Sequence, residues 1–395
     1  MRLKLSKNPL HRFTIIIAGT VLSGIIVLTV SVGGWVKTRD QLDQTVRERS
    51  ALRAQVASIS GELNKLKNED QFQKNEKLQG DIRQIETSYV QAVSVYEDLL
   101  RFKDVKKNTT DFDKVFAEIL TLLSKRDYQS AVENLKKLRA DIAEEQAKIA
   151  AAFTIPENVT QSNSAPANGY TRQSVSSDIG TFLVDIIAGD LGSTRVIVDT
   201  ASDATCSKDC AVLSLGDYVA RNGAFAGVNG SYFCPADYPS CADKKNSFDT
   251  LLMNKNKVYF NSDNNKYSVV PAVIFSNGFV RFVGQSLEWG RDTSIDSMIA
   301  NQPLLLAGGT IVFGGNSDPK MGSAGSRGFV ANRGSTVYIG VVHNVTVAGM
   351  AHVLKALGME NALNLDSGGS VALWSGGYKV GPGRNIPNAI LFVRK

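Results

Sequence analysis

A run of 24 residues, Phe13–Val36, carries no charge and is bounded by Arg12 and Lys37. As a helix it would be about 36 Å long at about 1.5 Å per residue, enough to cross a hydrocarbon core of about 30 Å. Lipid admits such a segment only as a helix, because every backbone polar group must be satisfied internally. Arg2, Lys4, Lys7 and Arg12 precede it with no acidic residue. The positive-inside tendency then reads 1–37 as a cytoplasmic tail and single-pass anchor, with the remaining chain extracytoplasmic. A cleaved signal peptide is the alternative; its apolar core would be about 7–15 residues, shorter than this one.

The cysteines agree with export. All four lie late in the chain, at Cys206, Cys210, Cys234 and Cys241. The close spacing within each pair favours two local disulfides, Cys206–Cys210 and Cys234–Cys241. A zinc site is the alternative, but there is no CxxC pair and the histidines, His11, His343 and His352, lie elsewhere. No metal and no cofactor is expected: the chain lacks GxxxxGK[ST], HExxH and GxSxG patterns. The net charge of +6 sits mainly beside the apolar run, so nucleic acid is not an expected partner.

Composition divides the rest. Residues 1–153 hold six glycines and residues 174–395 hold 27, so the first part is helix-like and the second rich in turns and strands. Residues 38–104 read as a coiled coil. Leu52, Val56, Ile59, Leu63 and Leu66 step by four and three, and Leu78, Ile82, Ile85, Tyr89 and Ala92 repeat the rhythm after a polar break at Asp70–Lys77. Such a seam needs a partner, either a second copy in a homodimer or a surface of the same chain. Residues 105–153 read as a helical hairpin with faces Phe112, Phe116, Ile119, Leu123 and Ala131, Leu135, Leu138, turning at Lys125-Arg126-Asp127. Residues 154–173 are polar and rich in Pro, Asn and Ser, a linker.

Residues 174–395 alternate short apolar runs with turn residues. Strands are expected at Thr181–Ile187, Arg195–Asp199, Val269–Phe275, Val280–Val283, Thr310–Phe313, Val337–Val342 and Ala389–Val393. Helices are expected at Leu215–Arg221, stopping before Asn222-Gly223, and at Val347–Leu357, stopping at Gly358. Without repeating βαβ units this is an α+β domain with a mixed or antiparallel sheet. The expected whole is an anchor, a coiled coil, a helical hairpin and this domain.

Four segments carry a recognisable pattern: Ala226–Phe233 (AGVNGSYF), Ser326–Val330 (SRGFV), Leu357–Ser370 (LGMENALNLDSGGS) and Gly383–Ala389 (GRNIPNA). In this order they resemble the phosphodiester glycosidase family, over about 174–395. The third segment is similar to the family's LG…ALNLDGGGS signature, with Ser367 where a glycine is commoner. Arg327 matches the Arg of an RTAIG stretch from which Gly328-Phe329 depart, and His343 stands where many relatives have the Asp of a VDG turn.

The resemblance implies a hydrolase that releases a sugar from a sugar-1-phosphodiester. Asp366 would act as base toward water or steady positive charge at the anomeric carbon. Arg327 and Arg384 would neutralise the phosphodiester, since a guanidinium fork matches phosphate oxygens. His343 would donate a proton to the leaving oxygen. Gly368, Gly369 and Ser370 would hold the anion on backbone N–H groups, while Asn229 and Tyr232 would bind the sugar and Asn388 would either bind substrate or orient the Arg384 loop. Asp190, Asp292 and Asp318 are candidate second carboxylates. The expected substrate is an envelope or extracellular glycopolymer, an exopolysaccharide among them. The competing reading is a non-catalytic glycan-binding module on a coiled-coil scaffold.

Overall fold

In the computed structural model the described residues are 9–263 and 269–395; the side chains of residues 9–22, 25–33 and 70 also lie outside them. Four helices come first: α1 (Pro9–Asn68), α2 (Asp70–Val105), α3 (Thr110–Ser124) and α4 (Tyr128–Ala151). The chain divides into two units, residues 1–85 and 86–395.

The described part of the first unit is helical except at Glu69. The uncharged run falls on α1, mostly on residues whose side chains are outside those described, as are Arg2, Lys4 and Lys7. Among the described residues no helix is long and apolar enough to cross a membrane. The helix breaks at Glu69, beside the polar stretch that interrupts the heptads. Leu52, Val56, Ile59, Leu63 and Leu66 are 50–64% exposed, an apolar stripe that the described residues of the chain leave uncovered.

In the second unit the rest of α2 packs on its own chain. Ala92, Val95, Leu99 and Phe102 meet Ile119, Leu123, Leu135 and Leu138 in one closed core. Tyr89, one heptad step earlier, is still 48% exposed. Asp127 caps α4 by accepting from the Ser130 N–H, and Arg126 makes the turn with a positive φ of 62°.

The strands follow in chain order: β1 (Gly169–Ser177), β2 (Gly180–Asp190), β3 (Thr194–Thr200), β4 (Ala226–Asn229), β5 (Leu252–Met253), β6 (Tyr259–Phe260), β7 (Ala272–Ser276), β8 (Phe279–Val283), β9 (Ser297–Ala300), β10 (Leu304–Ala307), β11 (Thr310–Ile311), β12 (Gly325–Arg333), β13 (Thr336–Val345), β14 (Asn361–Ser367), β15 (Leu373–Ser375), β16 (Tyr378–Val380) and β17 (Asn388–Arg394). Helices α5 (Leu215–Asn222), α6 (Pro319–Gly322) and α7 (Val347–Ala356) lie between them. Three sheets result, in the orders β1-β2-β13-β12-β14-β10-β11, β16-β15-β4-β17-β3 and β6-β5-β9-β7-β8. Named strands pair antiparallel, as in the ladder of β12 with β13 and β14.

Alternation builds the layers. Val337, Ile339 and Val341 of β13 face a core shared with Val228, Leu363, Leu365 and Ile390, while Tyr338 and Val342 face Met350 and Leu354 of α7. On the far side of the second sheet Leu215 and Tyr218 of α5 cover Ile197, Ala389 and Leu391. Each such side chain stabilises the fold by roughly 1.5–3 kcal/mol of burial. Caps fix the helices between layers: Ser214 and Asp217 form a capping box on α5, and Gly223 closes it at φ 57°.

Several expectations shift. The strand expected from Val269 begins at Ala272, after Pro271, which has no N–H to give a ladder. The one expected at Thr310–Phe313 is only Thr310–Ile311. The polar run 154–173 is docked in its second half: β1 starts at Gly169, and the Gln173 amide donates to the Ser162 and Ser164 carbonyls. The cysteines form Cys206–Cys210 and Cys234–Cys241, so the zinc alternative falls.

Candidate functional site

The site grows from the one place where β12 is irregular on both edges. Against β13 the register slips between Gly325 and Arg327; against β14 it slips between Arg327 and Phe329. Asn344, at the matching end of β13, holds a φ of 52°. Bulges and left-handed residues re-aim side chains that a regular ladder would space evenly. Here they splay Ser326, Arg327, His343 and Asp366 from three adjacent strands.

Asp366 ends β14. Its own carboxylate accepts the Ser367 N–H at 2.8 Å, and Ser370 donates to it from the next turn. Burial pushes the carboxyl up to about 6, outweighing those bonds and the positive charges of Arg384 and Lys320, which pull it down. A carboxyl of this kind exchanges its proton near neutral pH.

Tyr232 accepts from the Asn364 amide at 2.5 Å; burial, then the charge of Asp366, pushes its phenol up. Arg327 is buried, and its guanidinium donates to the carbonyls of Val345, Lys320 and Ser323. Burial lowers its pKa, while Tyr232, Asp366 and Asp318 oppose that. Arg327, Tyr232 and Asp366 therefore lie within electrostatic reach of one another, and Asp318 is the candidate second carboxylate nearest them. Asp190 instead accepts the Gly192 N–H, and Asp292 the Ser294 N–H. The Asn364 Oδ1 is buried with no hydrogen-bond partner among the described residues.

A cleft of about 410 Å³ is lined by Gly368, Gly369, Arg384, Ser326, Asp104 and Asp237, among others; Asp366, Arg327 and Tyr232 are not among its lining residues, and Asp366 lies next to it through the Ser367–Ser370 turn. The Asp104 carboxylate, from the end of α2, occupies it. Asp104 accepts from Arg384 Nη2 at 3.1 Å and from the Gly369 backbone. Tyr238 lies under both Arg384 and Arg101, and Glu97 accepts the Ser240 N–H at 2.9 Å. Burial raises the Asp104 pKa despite the Arg384 charge. A backbone donor and a guanidinium converging on carboxylate oxygens make a ready anion site.

At Gly369 a side chain would press on the movable tips of Arg384 and Asp104. A Cβ there would stand 2.5 Å from Arg384 Nη2 and 2.6 Å from Asp104 Oδ1. Gly369→Ala keeps the N–H but crowds the Arg384 tip, and is expected to weaken binding of an anionic ligand; titration with inorganic phosphate by calorimetry measures it, and unchanged affinity would place the anion elsewhere.

Not every expected residue faces the cleft. Asn229 is fully buried; its amide donates to the Asp366 carbonyl at 2.9 Å and accepts the Ala372 N–H. Asn388 accepts the Ser231 N–H and donates to Ser231 Oγ. Both amides hold the loops that carry Asp366 and Tyr232. His343 has both ring nitrogens engaged, Nε2 with Asp185 at 2.7 Å and Nδ1 with Ser326 at 3.2 Å, so it meets the cleft through Ser326. His352 pairs with Asp178. Sequence reasoning missed Asp104, Asp185, Ser326 and Tyr238. Asp104 follows the heptad seam with nothing local to mark it, and Ser326 only flanks a motif.

With this geometry in place, the likenesses to known proteins can be set beside it. Residues 222–393 match the family model of phosphodiester glycosidases. A hypothetical protein from Synechocystis is similar in structure at 14% identity and TM-score 0.41, covering 57% of this chain and 62% of its own. The catalytic domain of zebrafish N-acetylglucosamine-1-phosphodiester α-N-acetylglucosaminidase, auto-inhibited by its pro-peptide, is similar at 13% identity and TM-score 0.45, covering 60% of this chain and 87% of its own. This chain thus spans less than two thirds of the Synechocystis structure. The comparison with curated proteins returns no match. Over residues 222–393 the family that this chain resembles is the phosphodiester glycosidases.

Proposed function

We propose that the protein is a membrane-anchored, exported hydrolase that cleaves the bond between a sugar and a phosphodiester in envelope or extracellular glycans. The supporting observation is the adjacency of two chemistries: an anion site of Gly369 N–H and Arg384, and a carboxyl, Asp366, poised to titrate near pH 6. The phosphoryl oxygens take the position of the Asp104 carboxylate. Asp366 then takes a proton from water as the sugar–oxygen bond breaks. A phosphate monoester is a weak base and leaves with its charge on Arg384 and the Gly369 N–H, so this site does without the second carboxylic acid of ordinary glycosidases. Tyr232 and Arg327 support Asp366 from the other side. Hydrolysis of a panel of sugar-1-phosphate diesters by the full chain tests the reading; intact diesters across the panel would leave the glycan-binding alternative.

The remaining parts follow from the sequence. The division into 1–37, 38–104, 105–153, 154–173 and 174–395 assigns anchor, stalk, hairpin, linker and hydrolase. The open stripe Leu52–Leu66 suits a second copy of the chain, giving a homodimer. The anchor has its own test. Leu22→Arg with Val27→Arg places two charges at the centre of the run, each costing about 2.5–3.5 kcal/mol to insert. The doubly substituted chain is expected to stay in the soluble fraction where the parent sediments with membranes.

A further inference from the structure

One chain of hydrogen bonds beside the cleft is not used by the reaction proposed above. Ser326 Oγ lies 3.2 Å from His343 Nδ1, and His343 Nε2 lies 2.7 Å from Asp185 Oδ2. Asp185 is completely buried, and its Oδ1 accepts the Tyr170 hydroxyl at 2.6 Å with Arg172 Nε at 3.7 Å. These contacts hold the carboxylate in place and aim its Oδ2 at the ring. With Asp185 Oδ2 as the acceptor at 2.7 Å, the geometry suits the tautomer that carries its proton on Nε2. Nδ1 is then a free lone pair facing the serine hydroxyl, which is the polarity of a nucleophile, its base and the group that orients the base.

Two further observations separate this from a buried structural network. Ser326 lines the cleft, and His343 keeps 13% of its side chain exposed at the cleft end of β13. Ser326 also stands at the bulge between Gly325 and Arg327, where a strand side chain is turned out of its ladder position. The same cleft offers an oxyanion donor: the Gly369 N–H already holds a carboxylate oxygen, that of Asp104, with Arg384 beside it. Nucleophile, base, orienting carboxylate and oxyanion donor are the parts that acyl transfer requires.

We propose that Ser326, His343 and Asp185 form a hydrolytic triad acting on carboxylic esters, a second activity served by the same cleft. Ser326 Oγ bonds to the ester carbonyl carbon as its proton passes to His343 Nδ1. The carbonyl oxygen takes the negative charge against the Gly369 N–H. The C–O bond to the alcohol breaks, and the alcohol leaves with the proton from Nδ1. Water then attacks the acyl-serine, giving its proton to Nδ1; the carboxylic acid departs and Ser326 recovers its hydrogen. Asp185 and Tyr170 touch no substrate and are positioning residues. The inference does not depend on the glycosidase reading, because its substrate and its nucleophile are different.

The test treats the full chain with a fluorophosphonate probe, locates the adduct by peptide mass spectrometry, and follows p-nitrophenyl acetate hydrolysis in parallel. The expected result is an adduct on Ser326 in the parent chain, none in Ser326→Ala, and labelling and turnover about 10²–10⁴-fold slower in His343→Gln. Circular dichroism melts establish that the variants are folded. Absence of a Ser326 adduct in the parent overturns the proposal, a result that needs no variant. So does labelling or turnover that persists undiminished in folded His343→Gln or Ser326→Ala.

Discussion

Asp366→Asn is expected to lower the hydrolysis of a sugar-1-phosphodiester by about 10²–10⁴-fold, the usual worth of a positioned general base, while making the folded protein more stable. The two effects share one cause. Burial raises the carboxyl from 3.8 to about 6, so folding disfavours its ionised form. The sign follows from proton counting. Below the unfolded value of 3.8 both states are protonated and there is no penalty. Between 3.8 and about 6 the folded state holds the proton longer, so stability falls as pH rises, and above about 6 the full penalty is present. At 1.36 kcal/mol per unit that penalty is on the order of 3 kcal/mol. The asparagine variant should therefore melt higher than the parent at pH 8 and with the parent at pH 3. In the parent, turnover should rise with pH on an acidic limb near 6. Retained turnover in the variant would remove Asp366 from the reaction, whatever the melts show.

Asp104→Ala is expected to tighten substrate binding. The Asp104 carboxylate sits on the Arg384 and Gly369 donors that a phosphoryl group would use, so ligand and helix compete. Releasing one charge-assisted bond of about 1.5–3 kcal/mol predicts KM for a sugar-1-phosphodiester lower by about 10-fold or more, with kcat little changed. Mild acid should act in the same direction in the parent, because burial raises the Asp104 pKa and its protonation frees Arg384. An unchanged or higher KM in the variant would show that the anion binds elsewhere.

Much of the C-terminal domain was legible because its cues are local. Gly223 and Gly358 stop α5 and α7 where a left-handed residue is needed, with φ of 57° and 73°, and Val337, Ile339 and Val341 alternate as a strand between two layers must. Segments that carry the family likeness also meet in space: Asn229 of β4 donates to the Asp366 carbonyl, and Arg384 of the turn before β17 lies within electrostatic reach of the Asp366 carboxylate. What escaped was non-local. The SRGFV segment of β12 shows no clean alternation, since its irregularity is set by two neighbouring strands at once. Asn229 and Asn388 suggested sugar contacts by residue type, yet both amides are committed to backbone partners. Asp104 meets Arg384 across 280 residues of sequence, a pairing that helix periodicity cannot encode.

Glu97, Arg101 and Asp104 follow one another on α2 at spacings of four and three, so they form a single stripe against Ser240, Tyr238 and Arg384. A helix turns about 100° and rises about 1.5 Å per residue. The opposite face of the same turns carries Leu99 and Phe102 into the closed helical core, so the three polar side chains move only if that packed face moves with them. The hold on the Arg384 guanidinium is thereby tied to the integrity of the hairpin core: loosening that core would loosen the cleft.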